Sequence, residues 1–437
     1  MLRLLFTIML SFLATNFFAQ NDNSLNTRKS KIKIPFELSH NLIIVDANFN
    51  GINLKMIVDS GSDQNLLFSL PEKDTIYLED AEYIEIRGVG KDSVMEAYFA
   101  RNNTFKIEEY MVSNFDILIV PNQEINIVNV TGVQINGILG ASFFENFLVE
   151  INYDTKKIFL HKNRDVFFKK SKKYSFEPIT IQNRKPYVDL PILLNKRKYN
   201  FKLLVDTGLS DGLWLFENDS IKCNTNYFED ILGFGLSGVI YGKRSKVSQI
   251  GLSGYTFQNA LVSYPEIDFF KGIKVANGRN GSLGGQLLKR FNWFFDYENK
   301  KVYFIKNKLF DSPFEYNMSG IEIQHKGSEW VKYEVSTIDR KSNEVDKETN
   351  FYKKVINYKY ELKPIYEIYA LRENSPAHRA GLKRGDLVLK INGRKTSNLK
   401  IDYFNELFTS EEGKLITIEV DRKGKILKFK FKLEKIL

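Results

Sequence analysis

The sequence predicts a mainly β protein: two copies of one β-rich unit, followed by a smaller α+β module of different pattern. Three observations predict it. A long segment recurs, in order and without a gap. The apolar runs are short and bounded by turn residues. The pattern then changes past Asp311.

The repeat comes first. NGILGASFFENFLVEINYDTKKIFL, from Asn136, aligns with NGSLGGQLLKRFNWFFDYENKKVYFI, from Asn280. Gly137 meets Gly281, Leu139 meets Leu283, Gly140 meets Gly284 and Tyr153 meets Tyr297. Upstream, LKMIVDSG ending at Gly61 matches FKLLVDTG ending at Gly208 at nearly the same spacing. Two anchors in one order define two copies, over 31–165 and 166–310, joined by the basic stretch Lys162–Lys173.

Within each copy the signal is β. HNLIIVDANF and PYVDLPILL are short apolar runs, and Asn50-Gly51 is a turn signal. Helix is expected only in short pieces near Ser142–Asn146 and Gln286–Arg290. The third region, 312–437, reads as a turn, a short helix Pro376–Ala380 stopped at Gly381, a strand Leu387–Ile391 and a turn at Asn392-Gly393. Two alternating strands close it, and the charged stretch Asp339–Pro364 reads as an insertion.

Composition narrows the function. Residues 1–19 have Arg3, an apolar run and the small residue Ala19, the pattern of a signal peptide. That run is short for a bilayer, which needs about 20 apolar residues, and no later segment is long and apolar enough. The expectation is an exported protein, periplasmic or secreted, with no transmembrane span in the mature chain. Cys223 is the only cysteine, so no internal disulfide forms. The net charge of +10 is spread along the chain with no basic helix interleaved with stacking aromatics, so nucleic acid is not an expected partner. His40, His161, His325 and His378 lack ligand spacing, so no metal and no cofactor is expected. Gly235-Leu-Ser-Gly and Gly251-Leu-Ser-Gly are not nucleophile elbows and read as turns.

The chemistry sits in the doubled triplet, Asp59-Ser60-Gly61 and Asp206-Thr207-Gly208, each between two apolar runs. One such triplet alone reads as a local turn. Two at equivalent places in a duplicated unit point to paired carboxylates. A pair about 3 Å apart cannot ionise twice, so it shares a proton and offers a base and an acid together.

On these residues the chain resembles the aspartic peptidases, the family of pepsin and the retroviral proteases, over both copies. The resemblance implies two β-barrel lobes with Asp59 and Asp206 as the catalytic pair. Ser60 and Thr207 would interlock the loops, and Gly61, Gly208 and Ser62 would support the pair. Ile138-Leu139-Gly140 and, less closely, Ser282-Leu283-Gly284 match the packing strand. Leu209 stands where pepsin-like lobes carry a hydroxyl residue, which favours a silent peptide-binding protein as the alternative. Hairpins carrying Gly88 and Gly90, and Gly233 and Gly235, fall where the family has its flap. Ser375-Pro376-Ala377, Gly385-Asp386 and Ile391-Asn392-Gly393 resemble bacterial PDZ modules. That likeness implies that Ser319, Gly320, Ile321 and Ile323 receive a C-terminal peptide, with Glu322 less welcoming than a small residue. The substrate class implied is a peptide or unfolded protein. A peptidase regulated through its PDZ module is a further reading.

Overall fold

A computed structural model describes residues 31–437, apart from 72–73, 79–80, 91–93, 122–134, 163–172, 272, 274 and 338–354. The signal-peptide reading and most of the basic connector lie outside the described residues. Among the described residues no helix is long and apolar enough to cross a membrane.

Each copy builds one eight-stranded sheet, and the two sheets share a plan. In the first, the strand Ile52–Val58 runs parallel to Gly137–Leu139, which in turn lies antiparallel to Leu66–Leu67. In the second, Arg197–Val205 runs parallel to Arg279–Leu283, which lies antiparallel to Leu213–Leu215. Val58 and Val205, the last residues of these central strands, are fully buried, so each aspartate is delivered at the end of a strand held on both sides.

A six-stranded sheet takes strands from both copies and fastens them together. At its centre Leu148–Asn152 pairs antiparallel with Phe291–Asp296, with Glu150 opposite Phe294, its own counterpart in the repeat. That register is what a two-fold relation between the copies requires. One apolar core runs beneath both lobes: Phe144 of the first copy meets Phe295 of the second edge-on at 5.2 Å and stacks on Tyr297 at 5.8 Å. The expected helical pieces are single turns, Ser142–Glu145 and Gly285–Leu288.

The third region is a separate sheet with two short helices. Pro376–Arg379 begins at Ser375, whose Oγ accepts the His378 N–H at 3.2 Å, and Leu387–Ile391 is a strand as expected. Ile401–Phe408 is a helix that the sequence reading did not mark; its buried Ile401, Phe404, Leu407 and Phe408 give the helical period that could have found it. The stretch taken as an insertion needs correcting. Residues 355–364 belong to the strand Val355–Leu371, which pairs with Ile321–Thr337 in one long hairpin. Residues 338–354 lie outside the described residues.

This region docks on the second lobe. Phe228 of that lobe enters the module's own core and lies 5.4 Å from Tyr316, and Phe234 meets Tyr369 at 5.8 Å. It also touches the first lobe, where Ser39 Oγ donates to Asp402 at 3.3 Å and the His40 ring meets Asn405.

Candidate active site

Asp59 and Asp206 leave their strands in the same way. The Asp59 N–H donates to Leu139 O at 2.9 Å, and the Asp206 N–H donates to Leu283 O at 2.9 Å. Each carboxylate then accepts the N–H of the glycine two residues on, Gly61 at 2.7 Å and Gly208 at 3.1 Å. So each triplet is the turn that a lone reading assigns it, and something more.

The addition is an interlock between lobes. Ser60 Oγ donates to Val205 O at 2.6 Å and accepts the Thr207 N–H at 3.1 Å. Thr207 Oγ1 donates to Val58 O at 2.7 Å and accepts the Ser60 N–H at 2.9 Å. Both hydroxyls are buried, so these four bonds form where an unmet donor would be costly. The loops are brought so close that a Cβ on Gly61 would lie 2.6 Å from Asp206 Oδ1, and one on Gly208 2.2 Å from Asp59 Cγ. No residue but glycine fits either position.

Each carboxyl therefore rests against the other lobe's loop, which brings the two close enough to act on each other. Both side chains keep a partly open face to solvent. Burial, then the neighbouring Asp206 charge, holds the Asp59 carboxyl up at about 8. Burial also raises Asp206, against the nearby Arg279 guanidinium, which pulls it down. Two carboxyls brought together in a poorly hydrated site keep a proton between them at neutral pH.

Comparison with known families agrees with this geometry. Residues 45–143 match a family model described as aspartyl protease, and residues 367–422 match one described as a PDZ domain. The chain carries an aspartyl protease domain and a PDZ domain. The first match spans Asp59 and the Ile138-Leu139-Gly140 strand; the second lobe is tied to it by the repeat. A search of curated proteins finds no match to the chain.

In the two lobes the structure answers the concern raised by Leu209. The Ser62 hydroxyl donates to Gln64 O at 2.8 Å, not to a carboxylate. The dyad-supporting role read for Ser62 is therefore not the one its hydroxyl has here, and Leu209 removes no bond that the first lobe makes. Leu209 is instead buried with Trp214, Phe216, Leu232 and Ile240, and Val89 of the first lobe packs on this cluster.

Val89 belongs to one of the two glycine-bearing hairpins, and the tips of both meet. Gly90 bridges Ser237, the Ser237 N–H donates to Val89 O at 3.1 Å, and the Gly90 N–H donates to Phe269 O at 3.1 Å. Leu236 of the second tip packs on the first lobe's cluster around Ile44, Ile57 and Ile138. Each tip thus sits on the opposite lobe. Gly88 lies against Leu236, whereas a Cβ on Gly233 would point into open space. A Cβ on Gly235 would lie 2.0 Å from Val89 O. Gly235→Val is expected to part the tips, which hydrogen exchange would report as faster loss of protection at the Gly90 and Ser237 amides.

The PDZ residues behave differently from the expectation. The Ser319 and Gly320 N–H groups both donate to the Asn317 side-chain oxygen, at 2.9 and 3.1 Å, and the Ile321 N–H donates to Ser319 Oγ at 3.0 Å. Ser319, Ile321 and Ile323 are buried. The donors read as open to a peptide carboxylate are already engaged, with Asn317 in the place of a ligand oxygen. Glu322 faces the second lobe; burial, then the charge of Asp230, holds its carboxyl up at about 7.

Sequence reasoning missed a chain of buried charge beside the site. Arg244 Nη1 donates to Asp211 at 2.8 Å and Arg244 Nε donates to Asp230 at 3.0 Å. Asp211 also accepts from Trp214 Nε1 at 2.9 Å and Ser263 Oγ at 2.7 Å. Asp230 continues to Arg372 of the PDZ region at 3.5 Å, and Arg372 lies 4.3 Å over the Phe228 ring. The series links the loop after Asp206, the second glycine-bearing hairpin and the loop around Ser319.

Proposed function

We propose that this protein is an endopeptidase that hydrolyses peptide bonds with Asp59 and Asp206 acting as one unit. The observation that carries the reading is the pair itself: two carboxyls from equivalent turns of two lobes, each set against the other lobe's loop over an interlock of buried hydroxyls. Such a pair holds one proton and one negative charge. The ionised member takes a proton from a water as its oxygen attacks the peptide carbonyl carbon, while the protonated member donates to the carbonyl oxygen. The resulting hydrated intermediate breaks its C–N bond. The amine leaves with a proton from the pair, and a hydroxyl of the intermediate returns one proton to the pair as the acid product forms, so the pair again holds one proton and one negative charge.

An extended peptide or unfolded protein suits a site beneath two hairpin tips, because parted tips offer strand edges to it. The leader-like first residues make an exported protein the natural setting. The PDZ module holds the second hairpin through Phe228 and Arg372, and a peptide terminus would have to displace Asn317 to occupy the 319–321 loop. The silent peptide-binding alternative rested on Leu209, and the Ser62 hydroxyl's engagement with Gln64 removes that support.

The test is cleavage of a denatured protein by the purified chain across pH 3 to 8, with Asp59→Asn alongside. The reading expects cleavage by the first and none by the second. Equal cleavage by both ends it.

A further inference from the structure

The repeat allows the two sides of the carboxyl pair to be compared position by position, and they are not alike. With Asn136 set on Asn280, Ile135 corresponds to Arg279 and Ile138 to Ser282. Ile57 and Leu204, each two residues before its aspartate, pair with Ile44 and Tyr187, so Ile44 corresponds to Tyr187 and Leu42 to Lys185. On the first side Leu42, Ile44, Ile57, Ile135 and Ile138 form one apolar cluster. On the second side the same places hold Lys185, Tyr187, Leu204, Arg279 and Ser282.

Arg279 and Ser282 depart from the apolar pattern together because they bond each other. Arg279 Nη2 donates to Ser282 Oγ at 2.6 Å and Arg279 Nε donates to Gly281 O at 3.0 Å, with the guanidinium 5.2 Å over the Phe216 ring. The next residue, Leu283, is the one whose carbonyl receives the Asp206 N–H. The guanidinium is thus fixed on the strand that lies parallel to the one ending at Asp206, and its charge acts on Asp206 and on Tyr187. Stability does not explain it, since a sunken cation is costly and the first lobe fills the same places with isoleucine.

Other charged groups do not split the pair in this way. Lys185 acts on both carboxyls, and Tyr297 faces Asp59. Arg279 is the fixed positive charge that sits on one side.

We propose that Arg279 is a positioning residue for the pair: its charge makes Asp206 the member that carries the negative charge and leaves the shared proton on Asp59. For its use in hydrolysis this rests on the peptidase reading; the asymmetry of charge does not. Asp206 is then the base toward water, and Asp59 the acid toward the carbonyl oxygen.

The experiment compares the full chain with Arg279→Met and Arg279→Lys in two measurements. The first is the pH profile of kcat/KM on a denatured protein. Arg279→Met is expected to move the acid limb upward by about one pH unit or more, and Arg279→Lys to keep it near its original place. The second is thermal stability against pH, which needs no activity. Asp206 in Arg279→Met loses its stabilised anion, so that variant falls further behind the unaltered chain as pH rises through the titration of the pair. A merely structural Arg279 would give a difference independent of pH. An unmoved acid limb or a pH-independent difference overturns the proposal. A chain that cleaves nothing, yet shows the pH-dependent difference, overturns the peptidase reading and leaves the role of Arg279 standing.

Discussion

Asparagine in place of Asp59 or Asp206 is expected to lower hydrolysis by at least about 10³-fold, while Asp59→Asn makes the folded chain more stable above neutral pH. The first half follows from the shared proton. An amide in either place cannot take a proton from water or pass one to a carbonyl, and the remaining carboxyl cannot do both at once. The second half follows from linkage. Asp59 is held at about 8 against an ordinary value of 3.8, so between these limits the folded chain binds a proton that the unfolded chain has released. Stability contributed by that proton is present at low pH and is lost as pH rises toward 8. Each unit of displacement is worth about 1.4 kcal/mol, so the penalty at high pH amounts to several kcal/mol. Asp59→Asn carries no such penalty. Its advantage in chemical denaturation should be small near pH 4 and largest above pH 8. Retained cleavage by the asparagine variants, or an advantage that shrinks with rising pH, would count against the shared-proton account.

Arg244→Met is expected to cost about 3–5 kcal/mol of stability and to loosen the second hairpin. The guanidinium lies between Asp211 and Asp230, and the three side chains are only 10%, 14% and 9% exposed. Removing it leaves Asp211 buried without a cation, in the loop that follows Asp206, and leaves Asp230 with Arg372 alone at 3.5 Å. Lys243→Met is the contrast. Lys243 reaches Glu217 at 2.7 Å, but the two side chains are 34% and 29% exposed, and such pairs contribute no more than about 1 kcal/mol. Denaturant titration of the two variants separates the cases. Hydrogen exchange over residues 228–244 should quicken in Arg244→Met alone.

Much of this architecture was legible in the sequence because duplication doubles every signal. The triplets, the Asn-Gly-x-Leu-Gly strands and the single helical turns each occur twice, and the structure puts each pair in equivalent places. Gly61 and Gly208 could be read as points of close approach before any coordinate, and each faces the other lobe's carboxyl. What escaped was carried by contacts across long separations. Arg244, Asp230 and Arg372 are ordinary charged residues in sequence, and their burial is decided by how the second hairpin meets the PDZ region. Asn317 drew no notice in the sequence, yet its side chain engages the loop that was read as open. Ser282 read as a flaw in a hydrophobic strand until Arg279 supplied its partner. The charged stretch read as an insertion misled for a related reason: Tyr358, Tyr360 and Leu362 alternate with Lys359, Glu361 and Lys363 as a strand does, but these apolar side chains are exposed, so the alternation marks no buried face.

The measurement that tests the central claim most directly is a carboxyl-carbon NMR titration of the intact chain, with aspartate labelled and Asp59→Asn and Asp206→Asn used to assign the two signals. One of the two carboxyls should remain protonated well above the ordinary range, losing its proton near pH 8, and Asp206→Asn should bring the titration of Asp59 downward. Two carboxyls that each titrate near the ordinary value of 3.8, indifferent to each other's removal, would contradict the claim that the lobes bring them together to hold one proton.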